Sequence, residues 1–133
     1  MESKYDLETS ARTIFRLFFN SNIQVSDKAP DDFDEWGIDL MMSCNGVKKL
    51  SLFMEEKTLL SIVKQVTGKN NIQNDKVAYG IMDEVARLIA GKTFGETNKN
   101  FTLYNSVKSH GGQCHGSSQA YRSKLGEFAI AIE

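Results

Sequence analysis

A predicted β-hairpin near the middle of the chain is the sequence feature that most constrains the fold. From Trp36 to Cys44, apolar residues alternate with polar or small ones, which is the period of a half-buried strand. Asn45-Gly46 follows, a dipeptide that adopts the positive φ of tight hairpin turns. The next run, Val47 to Met54, predicts a strand that returns antiparallel with Leu50 and Leu52 facing the core.

Three helices are predicted before and after this hairpin in the sequence. Apolar residues recur at helical spacing in three segments: Leu7 to Asn20, Glu55 to Thr67, and Asp75 to about Thr97. In the second segment the apolar side includes Val66, and in the third the side predicted to face the core is formed by Val77, Ile81, Val85, Leu88 and Ile89. Gly68 stands where the second helix should stop, and Asp75 is placed to cap the third. From Phe101 the pattern predicts two or three more strands, with turns at Gly111-Gly112 and Gly126. The order predicts an α+β fold in which about three helices pack against a mostly antiparallel β-sheet.

Length and composition limit the class of protein. A chain of 133 residues with 41% hydrophobic residues and one proline predicts a single domain over residues 1–133. Its 16 basic and 17 acidic residues give no positive excess for binding nucleic acid. The sequence has neither a membrane-spanning run of about 20 apolar residues nor the basic start of a secretion signal. We therefore expect a cytoplasmic protein that binds neither nucleic acid nor membrane.

The first predicted helix has an unusually wide apolar stripe. More than half of its circumference is covered by Ala11, Ile14, Phe15, Leu17, Phe18 and Phe19. A helix on the surface of one small domain needs less apolar surface than this. The stripe predicts a helix that is either buried on two sides or placed at a subunit contact.

The third predicted helix carries a second stripe, formed at positions i, i+4, i+7 and i+11 by Gly80, Glu84, Arg87 and Gly91. A glycine inside a helix costs about 1 kcal/mol relative to alanine, so two of them suggest close approach of another backbone. The alternative is an ordinary surface ion pair between Asp83 and Arg87, with Gly91 packed against a strand. Spacing alone leaves both interpretations open.

The run from Asp83 to Gly91 resembles the signature helix of the CheC/CheX/FliY family of bacterial chemotaxis phosphatases, in which Glu-x-x-Asn precedes an apolar residue and glycine. The resemblance extends over nearly the whole chain. It includes Phe53-Met54-Glu55-Glu56 before the second helix and Gly126-Glu127-Phe128 near the end. The chain is most similar to the shorter, single-motif members of the family, the CheX type.

The resemblance assigns roles to individual residues. In that family, the Glu and Asn enter the active site of a phosphorylated CheY-type receiver domain, where Asn orients the attacking water and Glu engages a lysine. Glu84 matches the Glu, but Arg87 stands in the place of the Asn. Gly80 stands where a small acidic or hydroxyl residue is expected, and Ser106 where proline is usual. A guanidinium has donors but no acceptor, so Arg87 cannot orient water as a carboxamide does.

The resemblance therefore implies a signalling protein that binds a phosphorylated CheY-type receiver without efficient phosphatase activity. The implied contacts lie on one helix: Gly80, Asp83, Glu84, Arg87 and Gly91. The alternative is an active aspartyl-phosphate phosphatase that uses Glu84 and Arg87, with the water placed by Asn105 or Gln113. Together with the wide stripe of the first helix, the resemblance predicts a homodimer.

Other motifs predict no cofactor or metal. Gly91-Lys92-Thr93 has the ending of a phosphate-binding loop, but such a loop cannot form inside a helix. A cluster of His110, Cys114 and His115 has metal-ligand types without a fourth ligand, and the hairpin around Gly111-Gly112 explains it better. The acidic segment between Asp27 and Asp39 lacks the ligand spacing of a calcium loop and predicts a solvated loop.

Overall fold

Within the residues that the computed structural model describes (2–33, 35–96, 100–109 and 117–133, with the backbone alone for 2–6), three α-helices pack against a six-stranded antiparallel sheet. The helices are α1 (Glu2–Phe19), α2 (Glu56–Thr67) and α3 (Asp75–Ala90). The strands are β1 (Ile23–Ser26), β2 (Trp36–Ser43), β3 (Val47–Met54), β4 (Thr102–Lys108), β5 (Ser117–Ser123) and β6 (Gly126–Ile132). Their order in the sheet is β1-β5-β6-β3-β2-β4, so β1 and β4 are its edges. The predicted α+β class is confirmed.

The predicted hairpin is present in the expected register. Strands β2 and β3 pair antiparallel from Ser43 opposite Val47 outward. Asn45 and Gly46 both have positive φ, at 58° and 119°, as a tight turn requires. Leu50 and Leu52 are fully buried under the helices.

The helix ends agree with the predictions at Gly68 and differ elsewhere; α1, for example, begins at Glu2 and not at Leu7. Gly68 ends α2 as predicted, with φ of 77° and its N–H donating to the carbonyl of Lys64 at 2.8 Å. Asn74, not Asp75, caps α3, because the Asn74 side chain accepts a 2.9 Å hydrogen bond from the N–H of Val77. The α-helical part of α3 ends at Ala90, and a wider π-helical turn, Gly91–Gly95, replaces the predicted continuation.

Helix α3 lies at the centre of the helical layer, in contact with α1, α2 and strands β2, β3 and β4. Its buried face is rotated from the predicted one. Small or flexible side chains take most of the central positions: Ala78, Met82, Val85, Ala86, Ile89 and Ala90. Val77, Ile81 and Leu88, which were predicted to face the core, are only half-buried. None of the helices within the described ranges has the length and apolarity needed to cross a membrane.

The opposite face of the sheet is covered in part by the acidic segment before β2. Asp31, Asp32 and Glu35 are exposed, as a solvated loop requires. However, Phe33 is buried in a cluster with Phe53 and with three alanines of β5 and β6: Ala120, Ala129 and Ala131. The acidic side chains are therefore solvated as predicted, and one aromatic side chain that was not predicted to be buried anchors the segment to the sheet.

Candidate functional site

The polar side of α3 faces strand β4 across a shallow cleft of about 530 Å³. We call it the α3–β4 cleft; its lining residues are Tyr79, Gly80, Asp83, Arg87, Asn105, Ser106 and Val107. Arg87 and Asp83 come from one helix face because they are four residues apart. Asn105 and Ser106 come from an edge strand, so the cleft forms only when helix and sheet pack together.

Asp83 and Arg87 join α3 to β4 through three short hydrogen bonds. Arg87 Nε donates to Asp83 Oδ2 at 2.7 Å, and Ser106 Oγ donates to Asp83 Oδ1 at 2.7 Å. Arg87 Nη2 donates to the backbone carbonyl of Tyr104, also at 2.7 Å. The ion pair allowed by the spacing is therefore formed. It is more than a surface pair, because the Asp83 and Arg87 side chains are only 24% and 31% exposed and both bind a second element.

A β-bulge in β4 makes these contacts possible. Leu40 pairs with Ser106 but Met42 pairs with Leu103, so three steps along β4 match two steps along β2. The extra residue lets Leu103 and Ser106 both face the helices, where Leu103 packs on the core and Ser106 reaches Asp83. The carbonyl of Tyr104 accepts from Arg87 within the same bulge. Asn105 is consequently held at the cleft between two residues that are bonded to α3.

Tyr79 and Lys108 complete the polar side. The Tyr79 ring lies 5.3 Å from the Trp36 ring between centroids, and Lys108 Nζ lies 4.9 Å from the Tyr79 centroid as a cation–π contact. Burial, with a smaller contribution from the carboxylate of Asp75, raises the pKa of Tyr79, so its hydroxyl stays protonated at neutral pH. Lys108 places a positive charge beside the cleft.

The other side of α3 borders an apolar groove of about 460 Å³. Its lining residues come from all three helices: Phe18, Phe19, Val66, Gly80, Ile81, Glu84, Val85 and Leu88. Ile81 and Leu88 were predicted to face the core and Val66 to lie on the apolar side of its helix, but all three form the walls of this groove. Glu84 is exposed and makes no hydrogen bond or ion pair with any described residue.

Gly80 lies between the two depressions and lines both of them. A Cβ atom added at Gly80 or at Gly91 would meet no other atom within 4 Å. The alternative in which Gly91 packs against a strand is therefore wrong, and no contact with the described part of the chain requires glycine at either position. Gly91 lines neither the cleft nor the groove.

The structure thus brings four of the five predicted contact residues to one exposed face, Gly80, Asp83, Glu84 and Arg87, and separates Gly91 from them. It adds Asn105 and Ser106 from β4. The Tyr104 carbonyl and Lys108 had no signal in the sequence, because a bulge in a strand has no residue pattern of its own. Ser106 was named only as a departure from the family motif.

The other sequence motifs contribute nothing to this site. Gln113, the Gly111-Gly112 turn and the His110/Cys114/His115 cluster lie outside the described residues. Among the residues that are described, no three His, Cys, Asp or Glu side chains could hold a metal. Thr93 is buried in the π-helical turn and donates to the carbonyl of Ile89 at 2.7 Å, so the predicted exclusion of a phosphate-binding loop there is consistent with the geometry.

No family model and no curated protein matches the sequence. Solved structures do match over the whole chain. Chemotaxis protein CheX from Vibrio vulnificus is 16% identical with a TM-score of 0.75, covering 100% of this chain and 97% of that chain. A CheC-like superfamily protein from Shewanella sp. PV-4 is 13% identical with a TM-score of 0.71, covering 100% and 98%.

A third similar structure is a chain of the CheX–CheY–BeF3–Mg²⁺ complex from Borrelia burgdorferi. It is 11% identical with a TM-score of 0.66, covering 98% of this chain and 97% of that chain. At these identities the likeness rests on backbone architecture. The chain has the fold of the CheX and CheC-like proteins.

Proposed function

We propose that this chain is a cytoplasmic CheX-like signalling protein that binds the phosphorylated form of a CheY-type receiver domain on the exposed face of α3, without efficient phosphatase activity. The observation that carries the proposal is Glu84, an exposed carboxylate beside an apolar groove that bonds to no described residue. The fold supports a receiver as partner, since one structure of this fold is a complex with CheY.

Glu84 has the properties of a contact for a cation on a partner. Apolar side chains surround it in the groove, so a docked partner would exclude water from its carboxylate. A charge-assisted hydrogen bond in such surroundings is worth about 1.5–3 kcal/mol, which is one to two decades in affinity. The family resemblance assigns a receiver lysine to this position, and a lysine would supply the ammonium.

Arg87 supports binding better than hydrolysis. Two of the five donors of its guanidinium are already bonded, one to Asp83 and one to the Tyr104 carbonyl. The group has no acceptor that could take a proton from an attacking water. Its Nη1 donors bond to no described residue, so they remain for a phosphoryl oxygen of the partner. Asp83 acts through Arg87, by holding it in place.

Gly80 supports close approach of the partner. It lies between cleft and groove, and the space above it is open. A helix glycine that the described part of the chain does not require is explained if a partner's backbone passes over it. Gly91 belongs to the same stripe, and its role as a contact remains a prediction from the sequence.

We also infer that two copies associate through α1. Leu17 and Phe18 are 70% and 55% exposed although they belong to the wide apolar stripe of that helix. Because Phe18 also lines the groove beside Glu84, we place the contact between the copies at Leu17, which does not line that groove, so that Glu84 stays accessible to a receiver. Sedimentation equilibrium should give twice the 14.9 kDa chain mass for the wild type and one chain mass for Leu17→Glu. A wild-type species of one chain mass would reject the homodimer.

Titration with a beryllofluoride-activated CheY-type receiver from the same organism tests the proposed function. Glu84→Gln should weaken binding about tenfold or more, because it removes the charge and keeps the shape. The matched control is Glu35→Gln, an exposed carboxylate away from α3, and it should leave binding unchanged. Equal binding by both variants and the wild type would reject Glu84 as the contact.

Phosphate release separates the two candidate activities. A protein that binds without hydrolysis should leave the spontaneous rate of phosphate release from the phosphorylated receiver unchanged or lower it. Acceleration well above the spontaneous rate would establish the alternative, an aspartyl-phosphate phosphatase that uses Glu84 and Arg87.

A further inference from the structure

We propose that the apolar groove beside Glu84 is a binding site for a small amphiphilic cation, a free molecule with one ammonium group and a short apolar tail. The ammonium bonds to the carboxylate of Glu84, and the tail lies against the apolar walls of the groove. The site itself is independent of the receiver. The effect of the ligand on receiver binding rests on the proposed function, because both use Glu84.

The groove has the size and enclosure of a small-molecule site. Its volume of about 460 Å³ lies within the range of about 300–1,000 Å³ that is usual for such sites. Its walls come from three helices: Phe18 and Phe19 of α1, Val66 of α2, and the part of α3 between Gly80 and Leu88. Phe18 and Val66 are both more than half exposed, so the groove is open to solvent and a ligand enters it without unfolding of a helix.

The core beneath the groove fixes its shape. The buried ring of Phe19 lies edge-on to the ring of Phe15 at 5.2 Å between centroids, and Phe15 stacks on Phe128 at 4.3 Å. Gly80 has no side chain, and the space above it is open. A ligand therefore enters a site that is already formed, and little side-chain freedom is lost when it binds.

The charge of the groove selects a cation. Glu84 is the one charged side chain among the described lining residues, and no described residue bonds to its carboxylate. It lies four residues after Gly80 and four before Leu88, so the carboxylate stands between open space and an apolar side chain. An ammonium on Glu84 thus places its tail next to the apolar walls. An anionic amphiphile brings a second negative charge beside a carboxylate that has no counter-ion in the groove.

An NMR titration of ¹⁵N-labelled protein with n-octylammonium, 1-octanol and octanoate tests the site, because the three probes share one tail and differ in charge. Octylammonium should give saturable shifts of the amides between Gly80 and Leu88, and it should bind about tenfold more tightly than octanol. Octanoate should bind most weakly. Hexylammonium should bind about tenfold more weakly than octylammonium, since two buried methylenes are lost. Equal binding of the three octyl probes, or shifts confined to other regions, would overturn the proposal.

Variants separate the contributions of charge and tail. Glu84→Gln should lower octylammonium affinity to that of octanol, and Glu35→Gln, an exposed carboxylate outside the groove, should change neither affinity. Phe18→Ala should weaken both probes, because it removes a wall. Its control is Val47→Ala, at an exposed apolar side chain of β3. A Glu84→Gln variant that still prefers octylammonium to octanol would overturn the role of Glu84.

A competition experiment distinguishes failure of this inference from failure of the proposed function. Saturating octylammonium should weaken binding of the beryllofluoride-activated receiver about tenfold or more, and octanoate at the same concentration should not. Octylammonium binding in the groove without any receiver binding would support the groove site and reject the proposed function. Receiver binding without octylammonium binding would overturn the groove site alone. Binding of both without mutual weakening would overturn the shared use of Glu84.

Discussion

Asp83 and Glu84 are neighbours on α3, yet they belong to regions of opposite character. One residue along a helix turns the side chain by about 100°, which places Asp83 in the polar α3–β4 cleft and Glu84 in the apolar groove. Asp83 is bonded through both oxygens to side chains of α3 and β4. Glu84 is bonded to no described residue. The Asp83 carboxylate is therefore used to hold the fold at the site, whereas the Glu84 carboxylate is available to a partner.

The largest loss of stability is expected when the carboxylate of Asp83 is removed. Asp83→Ala should lower the free energy of unfolding by about 2 kcal/mol, because Arg87 and Ser106 lose a partner in partly buried positions. Glu84→Ala is the matched control one residue away, and it should change stability by less than about 0.5 kcal/mol. Urea denaturation of both variants measures the difference. Equal losses would remove the distinction between the two regions.

A smaller loss of stability is expected when Ser106, the partner of Asp83 on β4, is replaced. Ser106→Ala removes one of the two bonds to Asp83 and leaves the ion pair with Arg87, so stability should fall by about 1 kcal/mol. The double variant with Asp83→Ala should be no less stable than Asp83→Ala alone, since the two residues share the bond. Additive losses in this double-mutant cycle would contradict the coupling of α3 to β4.

Replacing Gly80 with alanine should stabilise the fold but weaken receiver binding. Because a Cβ there meets no atom within 4 Å, Gly80→Ala should raise the free energy of unfolding by about 0.5–1 kcal/mol. The same methyl group should weaken receiver binding if a partner backbone passes over this position. Gly91→Ala should give a similar gain in stability, and its receiver affinity tests the contact predicted at Gly91. Unchanged receiver affinity in Gly80→Ala would place the partner elsewhere.

The smallest effect on stability is expected from Glu55, a carboxylate that lies outside both the α3–β4 cleft and the apolar groove. The hydrogen bond from the Lys28 ammonium at 2.8 Å, together with one from the backbone N–H of Glu127, lowers the pKa of Glu55. A lowered pKa in the folded state adds stability above the ordinary glutamate pKa, and this stability is lost as the pH falls through the lowered value. With partly exposed partners it should be below about 1 kcal/mol. Urea midpoints of wild type and Glu55→Gln between pH 7 and 3 should converge on acidification, and a constant gap would contradict the assignment.

Most of the fold was predictable because local signals agreed with it. The alternation before Asn45-Gly46 and the stop at Gly68 depend on nearby residues, and both are confirmed. Strand β1 was missed because it has only four residues and lies at an edge of the sheet, where an alternating pattern is weak. The burial of Phe33 was missed because it depends on β5 and β6, about ninety residues further along the chain.

The site was only partly predictable for a similar reason. The helical stripe placed Glu84 and Arg87 on one face from spacing alone. The partners of Arg87 and Asp83 on β4 lie 17 and 23 residues away, and the bulge that aligns them has no sequence signature. From the sequence, Arg87 is an exposed helix position whose loss costs less than about 0.5 kcal/mol. With its bonds to Asp83 and Tyr104 in view, we expect Arg87→Ala to cost about 1.5 kcal/mol.

An amide chemical-shift map, recorded while beryllofluoride-activated receiver is added to ¹⁵N-labelled protein, shows which face of the molecule binds the receiver. The perturbed amides should cluster on α3 from Gly80 to Arg87 and on the neighbouring β4 bulge, with the far sheet edge at β1 unaffected. Perturbations centred on β1 and β5, with α3 unchanged, would contradict the claim that the free face of α3 is where the partner binds.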